Sequence, residues 1–172
     1  FIIFRGFFLD GEKIYRFFEI KKGDVVYDVG AGAGEYSILC AKKGAECLAF
    51  ELREDAYRIM NKNIELNDFK KKIKVFLEKI NDKNNLDSFY KKEGVSPTIL
   101  KIDVEGDELK VLKGSKIILS EHNPKIILET HSKNLNKLCL EFLNRLNYKV
   151  FHKIKMGKEI FLYFLEKDNR RL

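Results

Sequence analysis

Short β-rich runs alternate with longer stretches of helical period along this chain. Asp24–Val29, Glu46–Glu51, Ile73–Leu77, Thr98–Asp103 and Lys125–Glu129 are dense in aliphatic and aromatic residues and read as strands. Between them the spacing changes. Glu35 to Lys43 reads as a helix behind a glycine-rich turn. Tyr57, Met60 and Ile64 recur at i, i+3 and i+7, and Leu135, Leu138, Phe142 and Leu146 continue the same period, so each set is expected to face a core. Strands separated by helices build βαβ units and a parallel sheet. After Asn147 two β-rich runs, Tyr148–Ile154 and Glu159–Leu165, flank a short loop containing Gly157, too close together for a crossover helix. They should pair as an antiparallel hairpin. The expected fold class is therefore α/β: a three-layer αβα arrangement around a seven-stranded, mostly parallel sheet with a C-terminal antiparallel hairpin.

Composition agrees with a packed domain. The chain has 172 residues, of which 45% are hydrophobic and 12% aromatic, which excludes disorder. No apolar run approaches the ~20 residues of a spanning helix, so no membrane span is expected. Phe1 to Leu9 is apolar but broken by Arg5 and Gly6, without a basic leader, and does not read as a signal peptide. Cys40, Cys47 and Cys139 stand at unrelated spacings, which favours free thiols in a cytoplasmic setting over disulfides or a zinc site. The net charge is +7. A basic surface would suit RNA, anionic lipid or an acidic substrate, but the lysines are interleaved with Glu and Asp and no basic block is longer than Lys70-Lys71-Lys72, the pattern of a solvated face.

Candidate chemistry gathers at the carboxyl ends of the strands, where open parallel sheets bind ligands. The first strand runs through Asp28 into Gly30-Ala31-Gly32-Ala33-Gly34. This G-x-G-x-G spacing differs from the G-x-G-x-x-G of dinucleotide binders, whose third glycine would fall on Glu35. Acids on both sides of the turn, Asp28 and Glu35, would repel a pyrophosphate and suit a ligand carrying an ammonium and a sulfonium. Glu51, ending the second strand, can accept hydrogen bonds from ribose hydroxyls. Such a cofactor would be held by Asp28, Gly30, Ala31, Gly32, Gly34, Glu51, Leu52 and Asp103.

The fourth strand ends in Asp103-Val104-Glu105-Gly106-Asp107-Glu108. Strand alternation would put Asp103 and Glu105 on one side at its tip as the functional pair, and Asp107 and Glu108 in the first turn of the next helix as capping acids. The fifth strand ends in Glu129-Thr130-His131. Of the three histidines His131 alone falls at such an end, and it is expected to act as general base with Glu129 setting its orientation. Asp103 and Glu105 would assist in catalysis. No metal is assigned.

Asp28-Val29-Gly30-Ala31, Lys101-Ile102-Asp103-Val104-Glu105-Gly106, Leu112-Lys113-Gly114 and the Glu129/His131 strand end together resemble the FkbM family of S-adenosylmethionine-dependent methyltransferases, from about residue 20 to residue 165. Gly32 stands where that family commonly has Asn. The resemblance implies the seven-stranded methyltransferase fold, Asp28, Gly30, Gly32 and Glu51 as cofactor residues, and O-methylation of a small molecule or sugar as the commonest reaction.

Residues 21–172 would then form the cofactor-binding domain, and residues 1–20, with Phe7, Phe8 and Tyr15, would contribute to the acceptor pocket. Two other readings stand beside this one. An RNA methyltransferase would suit the basic charge, although no N-P-P-Y or D-P-P-Y loop follows the fourth strand. A non-catalytic cofactor-binding protein would not need acids around an intact glycine loop. The loop spacing disfavours a nicotinamide oxidoreductase.

Overall fold

The computed structural model describes residues 17–168. Its sheet has seven strands in the order β3-β2-β1-β4-β5-β7-β6: β1 (Val25–Val29), β2 (Glu46–Glu51), β3 (Ile73–Leu77), β4 (Ile99–Ile102), β5 (Lys125–Thr130), β6 (Tyr148–Lys155) and β7 (Phe161–Lys167). The first five run parallel, and β7 inserts antiparallel between β5 and β6. The strand order reverses between β1 and β4, so their carboxyl ends diverge into a crevice.

The helices are α1 (Glu35–Lys42), α2 (Glu54–Leu66), α3 (Leu86–Glu93), α4 (Glu108–Lys113) and α5 (Lys133–Arg145), with a π-helical turn at Ile118–His122. Two cores lie on the two sheet faces. One packs Ile38, Leu39, Met60 and Ile64 of α1 and α2, with Phe18 and Ile20, against Val26, Ala49, Ile99 and Ile127. The other packs Phe89, Leu112 and Leu143 of α3, α4 and α5 against Leu48, Leu100, Ile102 and Leu128. Central strands covered on both faces need apolar residues at consecutive positions, which is why β4 is buried throughout.

The helix stripe on α5 differs from the period read in the sequence. Cys139 and Leu143 are its buried centre, and Leu138 is 38% exposed. Leu135, Phe142 and Leu146 do pack against the core, so the face is rotated by part of a turn rather than reversed. Ser132 caps this helix by accepting the Leu135 amide. The helix α3, weakly patterned in sequence, is fixed at its ends instead: Asn85 accepts the Ser88 amide and Gly94 closes it in the left-handed conformation.

Candidate active site

Between β1 and β4 lies a cavity of about 260 Å³ whose wall includes Gly30, Gly32, Glu51, Leu52, Glu78, Ile80, Asp103 and Glu105. A more open groove of about 580 Å³ lies at the β3 edge between Arg58, Lys62 and Lys70, and holds none of the strand-end residues. The β1/β4 cavity is the candidate site, because glycines of the loop and the acids Glu51, Asp103 and Glu105 converge there.

The loop is built by close approach. Gly30 has φ 79°, and a Cβ there would sit 1.7 Å from the Asp103 carbonyl oxygen, so only a bare backbone lets the loop pass the β4 tip. The amides of Gly30 and Ala31 both donate to the Phe50 carbonyl, tying the loop to β2. Glu51 follows, 7% exposed. One of its carboxylate oxygens accepts the Gly32 amide at 2.8 Å and the other the Arg53 amide at 2.7 Å. Two hydrogen bonds leave further lone pairs on a carboxylate that lines the cavity, where a ribose diol can donate to them.

Asp28 sits lower than expected. It is fully buried beneath the loop and is absent from the cavity wall. Its carboxylate accepts the Ser37 hydroxyl at 2.7 Å and pairs with Lys101 Nζ at 3.0 Å. Lys101 also donates to the Gly30 carbonyl at 3.1 Å and lies 3.8 Å from Asp103. Asp28 therefore braces the loop through Lys101 and does not line the cavity. Ala31 and Gly34 are likewise off the cavity wall; Gly34 packs against Met60, where a Cβ would come within 2.7 Å of Cγ.

At the β4 tip the expected alternation stops. β4 ends at Ile102, and Glu105 adopts a left-handed φ of 52°, so Asp103 and Glu105 both reach the cavity by a turn and not as same-face strand residues. Glu105 is exposed at the rim. Asp107 pairs with Lys110 at 2.6 Å and Lys79 at 2.8 Å, and these contacts hold its carboxyl below the usual range.

Glu108 stands in the first turn of α4 as expected, but it does more than cap the helix. It is fully buried, accepts the Gly106 amide, and sits 2.7 Å from His131 Nδ1. A carboxylate only accepts, so Nδ1 carries the proton and Nε2 turns toward the tips of β4 and β5; neither His131 nor Glu129 lies on the cavity wall. Nε2 lies 3.5 Å from Glu129 and 3.6 Å from Asp103. Glu108, not Glu129, orients the imidazole. Burial, reinforced by the neighbouring Asp103 charge, pushes the Glu129 carboxyl up from its ordinary range. Asp103, Glu129 and His131 each offer an atom within 4.8 Å of the others, close enough for a small divalent cation to bridge. Lys101 beside Asp103 already places a positive charge there.

Three supporting residues escaped sequence reasoning: Lys101, Ser37 and Glu108. The signal for Lys101 was present, since a lysine inside Ile99-Leu100-Lys101-Ile102 must be buried and so must be paired. Nothing local marks Glu108 as inward-facing.

A seven-stranded sheet of this order, with a glycine loop after β1 and a carboxylate ending β2, defines the class I S-adenosylmethionine-dependent methyltransferases, and the acidic, Cβ-free loop wall fits that cationic cofactor. The model of the methyltransferase FkbM domain matches residues 19–150, most of the chain, and the protein belongs to that family. That family is one of S-adenosylmethionine-dependent methyltransferases. Among solved structures the chain is similar to an FkbM methyltransferase from Methylobacillus flagellatus (TM-score 0.71, 20% identity, 87% of this chain and 45% of that one). It is also similar to a Streptococcus pneumoniae protein solved in complex with S-adenosyl-L-methionine (TM-score 0.70, 21% identity, 95% and 74%). A tRNA (guanine(37)-N(1))-methyltransferase from Aedes aegypti is 42% identical over 74 residues, 43% of this chain and 12% of that protein. The chain thus spans a small part of that relative's length. No helix among the described residues is long and apolar enough to cross a membrane. Phe7, Phe8 and Tyr15 lie outside the described residues.

Proposed function

We propose that the protein methylates an acceptor atom that sheds a proton as it is alkylated, that His131 takes that proton, and that the acceptor belongs to an RNA. The observation that carries the reading is the Glu108–His131 pair: a buried carboxylate holding Nδ1 at 2.7 Å turns Nε2 toward Asp103 and Glu129, 3.6 and 3.5 Å away. When bound, S-adenosylmethionine supplies a methyl group on a sulfonium. Glu51 and the Gly30–Gly34 loop hold it, and Leu52 and Asp103 complete that wall. Glu105 at the rim orients the acceptor, and the carboxylates around Nε2 stabilise the imidazolium that forms.

The RNA acceptor is supported by relatives named as tRNA methyltransferases acting at a guanine N1 position. A ring N–H, like a hydroxyl, must lose its proton, so one base serves either. Methylation of a hydroxyl on a small molecule or sugar is the second reading. The FkbM family membership and the acidic crevice, which disfavours phosphate inside it, support it. Incubation with methyl-labelled cofactor and, separately, total RNA and a panel of sugars and small hydroxyl compounds tests both. Label should enter RNA, and His131→Ala should lower that rate about 10²- to 10⁴-fold with cofactor affinity intact. Label confined to the small hydroxyl compounds would replace the RNA reading with the second one, and a full rate in His131→Ala would remove the base.

A further inference from the structure

The sheet register brings a basic element to the acceptor side of the crevice. Thr130 pairs with Phe161 and Phe161 with Lys155, so the β6–β7 turn stands at the same end of the sheet as His131. At the usual interstrand spacing Lys155 lies about 10 Å from Thr130 across the two strand steps. Lys153, Lys155 and Lys158 are exposed, and so is Lys133 at the start of α5, 3.9 Å from Glu159, the one acid of the turn. Lys153 Nζ rests 4.0 Å from the Phe161 ring centroid and 5.3 Å from that of Tyr163, which fixes a cation over aromatic faces.

The crevice itself is lined with five acids, Glu51, Glu78, Asp103, Glu105 and Asp107, against two bases, Arg53 and Lys79. An acidic well beside a basic rim sorts a polyanion by its parts: phosphates are repelled from the well and held on the rim, while an uncharged base or sugar can enter. A second copy of this chain fits poorly here, because antiparallel pairing along β6 would set its lysines against their own copies.

We infer that the β6–β7 hairpin and the first turn of α5 form the surface on which an RNA strand docks, with Lys133, Lys153, Lys155 and Lys158 holding its phosphates. The inference rests on the RNA reading above and names the surface that would serve it. Fluorescence anisotropy with a labelled single-stranded RNA, titrated at several salt concentrations, measures the docking. Each phosphate contact to single-stranded nucleic acid contributes a slope of about −0.7 in log K against log salt, so four contacts give about −3. The combined variant K133Q/K153Q/K155Q/K158Q should lose most of that slope and at least about tenfold in affinity at low salt. K62Q/K74Q, at the opposite sheet edge, should leave both unchanged. Cofactor binding and far-UV circular dichroism of the fourfold variant confirm its fold. Wild-type affinity and slope in that variant overturn the docking surface, as does a wild-type protein with no salt-dependent RNA affinity, in which case the lysines only keep the edge strand from pairing. The acceptor reading fails separately: RNA bound through the hairpin but never labelled, while a small hydroxyl compound is labelled, leaves the docking surface standing and removes RNA as acceptor.

Discussion

Glu108 and Glu129 both stand within reach of His131, yet their surroundings give them different work. Glu108 is locked between the Gly106 amide and Nδ1 with no contact to solvent, so its nearest partner is the ring. Glu108→Gln keeps the shape and removes the charge that steadies an imidazolium. The expected result is a fall in kcat on the order of 10²-fold with an unchanged cofactor dissociation constant, read by steady-state kinetics beside calorimetry. Glu129 carries a carboxyl raised by burial. A group whose folded pKa lies above its unfolded value stabilises the fold below the unfolded pKa, about 4.3, and that contribution is lost as pH rises through the folded value. Glu129→Gln should therefore raise Tm relative to wild type at neutral pH and lose that advantage near about pH 4. Melts at the two pH values check the sign.

At the scale of elements, the loop after β1 is held by sterics and by charge, and each can be tested. Gly30→Ala drives a methyl into the Asp103 carbonyl, where no flexible side chain can yield, whereas Gly32 has nothing nearer than 3.8 Å and loses only its left-handed freedom. Gly32→Ala should cost about 1–2 kcal/mol and Gly30→Ala clearly more, by chemical denaturation. Lys101→Met would leave Asp28 charged and unpaired in the core, a loss of about 3–5 kcal/mol. Adding Asp28→Asn should recover much of it, and an additive double variant would show that the two groups act independently. The glycine spacing was plain in the sequence, but the reason for Gly30 was not, because the atom it avoids is contributed by β4.

For the whole molecule, cofactor binding and metal independence are the accessible tests. S-adenosylmethionine at a hundredfold excess over its dissociation constant should stabilise the fold by about 2.7 kcal/mol, a rise of roughly 5–10 °C in Tm for a chain of this size. Glu51→Ala should shrink that shift by removing the ribose acceptor. With Lys101 already beside Asp103, methyl transfer should persist in EDTA. Activity lost on chelation and restored by Mg or Mn would assign the Asp103, Glu129 and His131 atoms to a cation.

The alternation of β-rich and helical periods by itself determined the α/β class, the seven strands and the terminal hairpin, because burial on both sheet faces forces long apolar runs that no helix surface shares. The G-x-G-x-G turn, Glu51 and the acids after β4 likewise marked the crevice, since strand ends are where a parallel sheet leaves ligands room. Tertiary structure alone decided which acid does what. Asp28 and Glu108 look in sequence like Asp103 and Glu129, charged residues near strand tips or helix starts. Only the packing of β1 on β4 gives Asp28 its lysine, and only the approach of α4 to the β5 tip turns Glu108 inward onto His131. Charge pairing across 73 residues, or 23, is set by strand order and helix docking, and no local pattern of hydrophobic and polar positions carries that information.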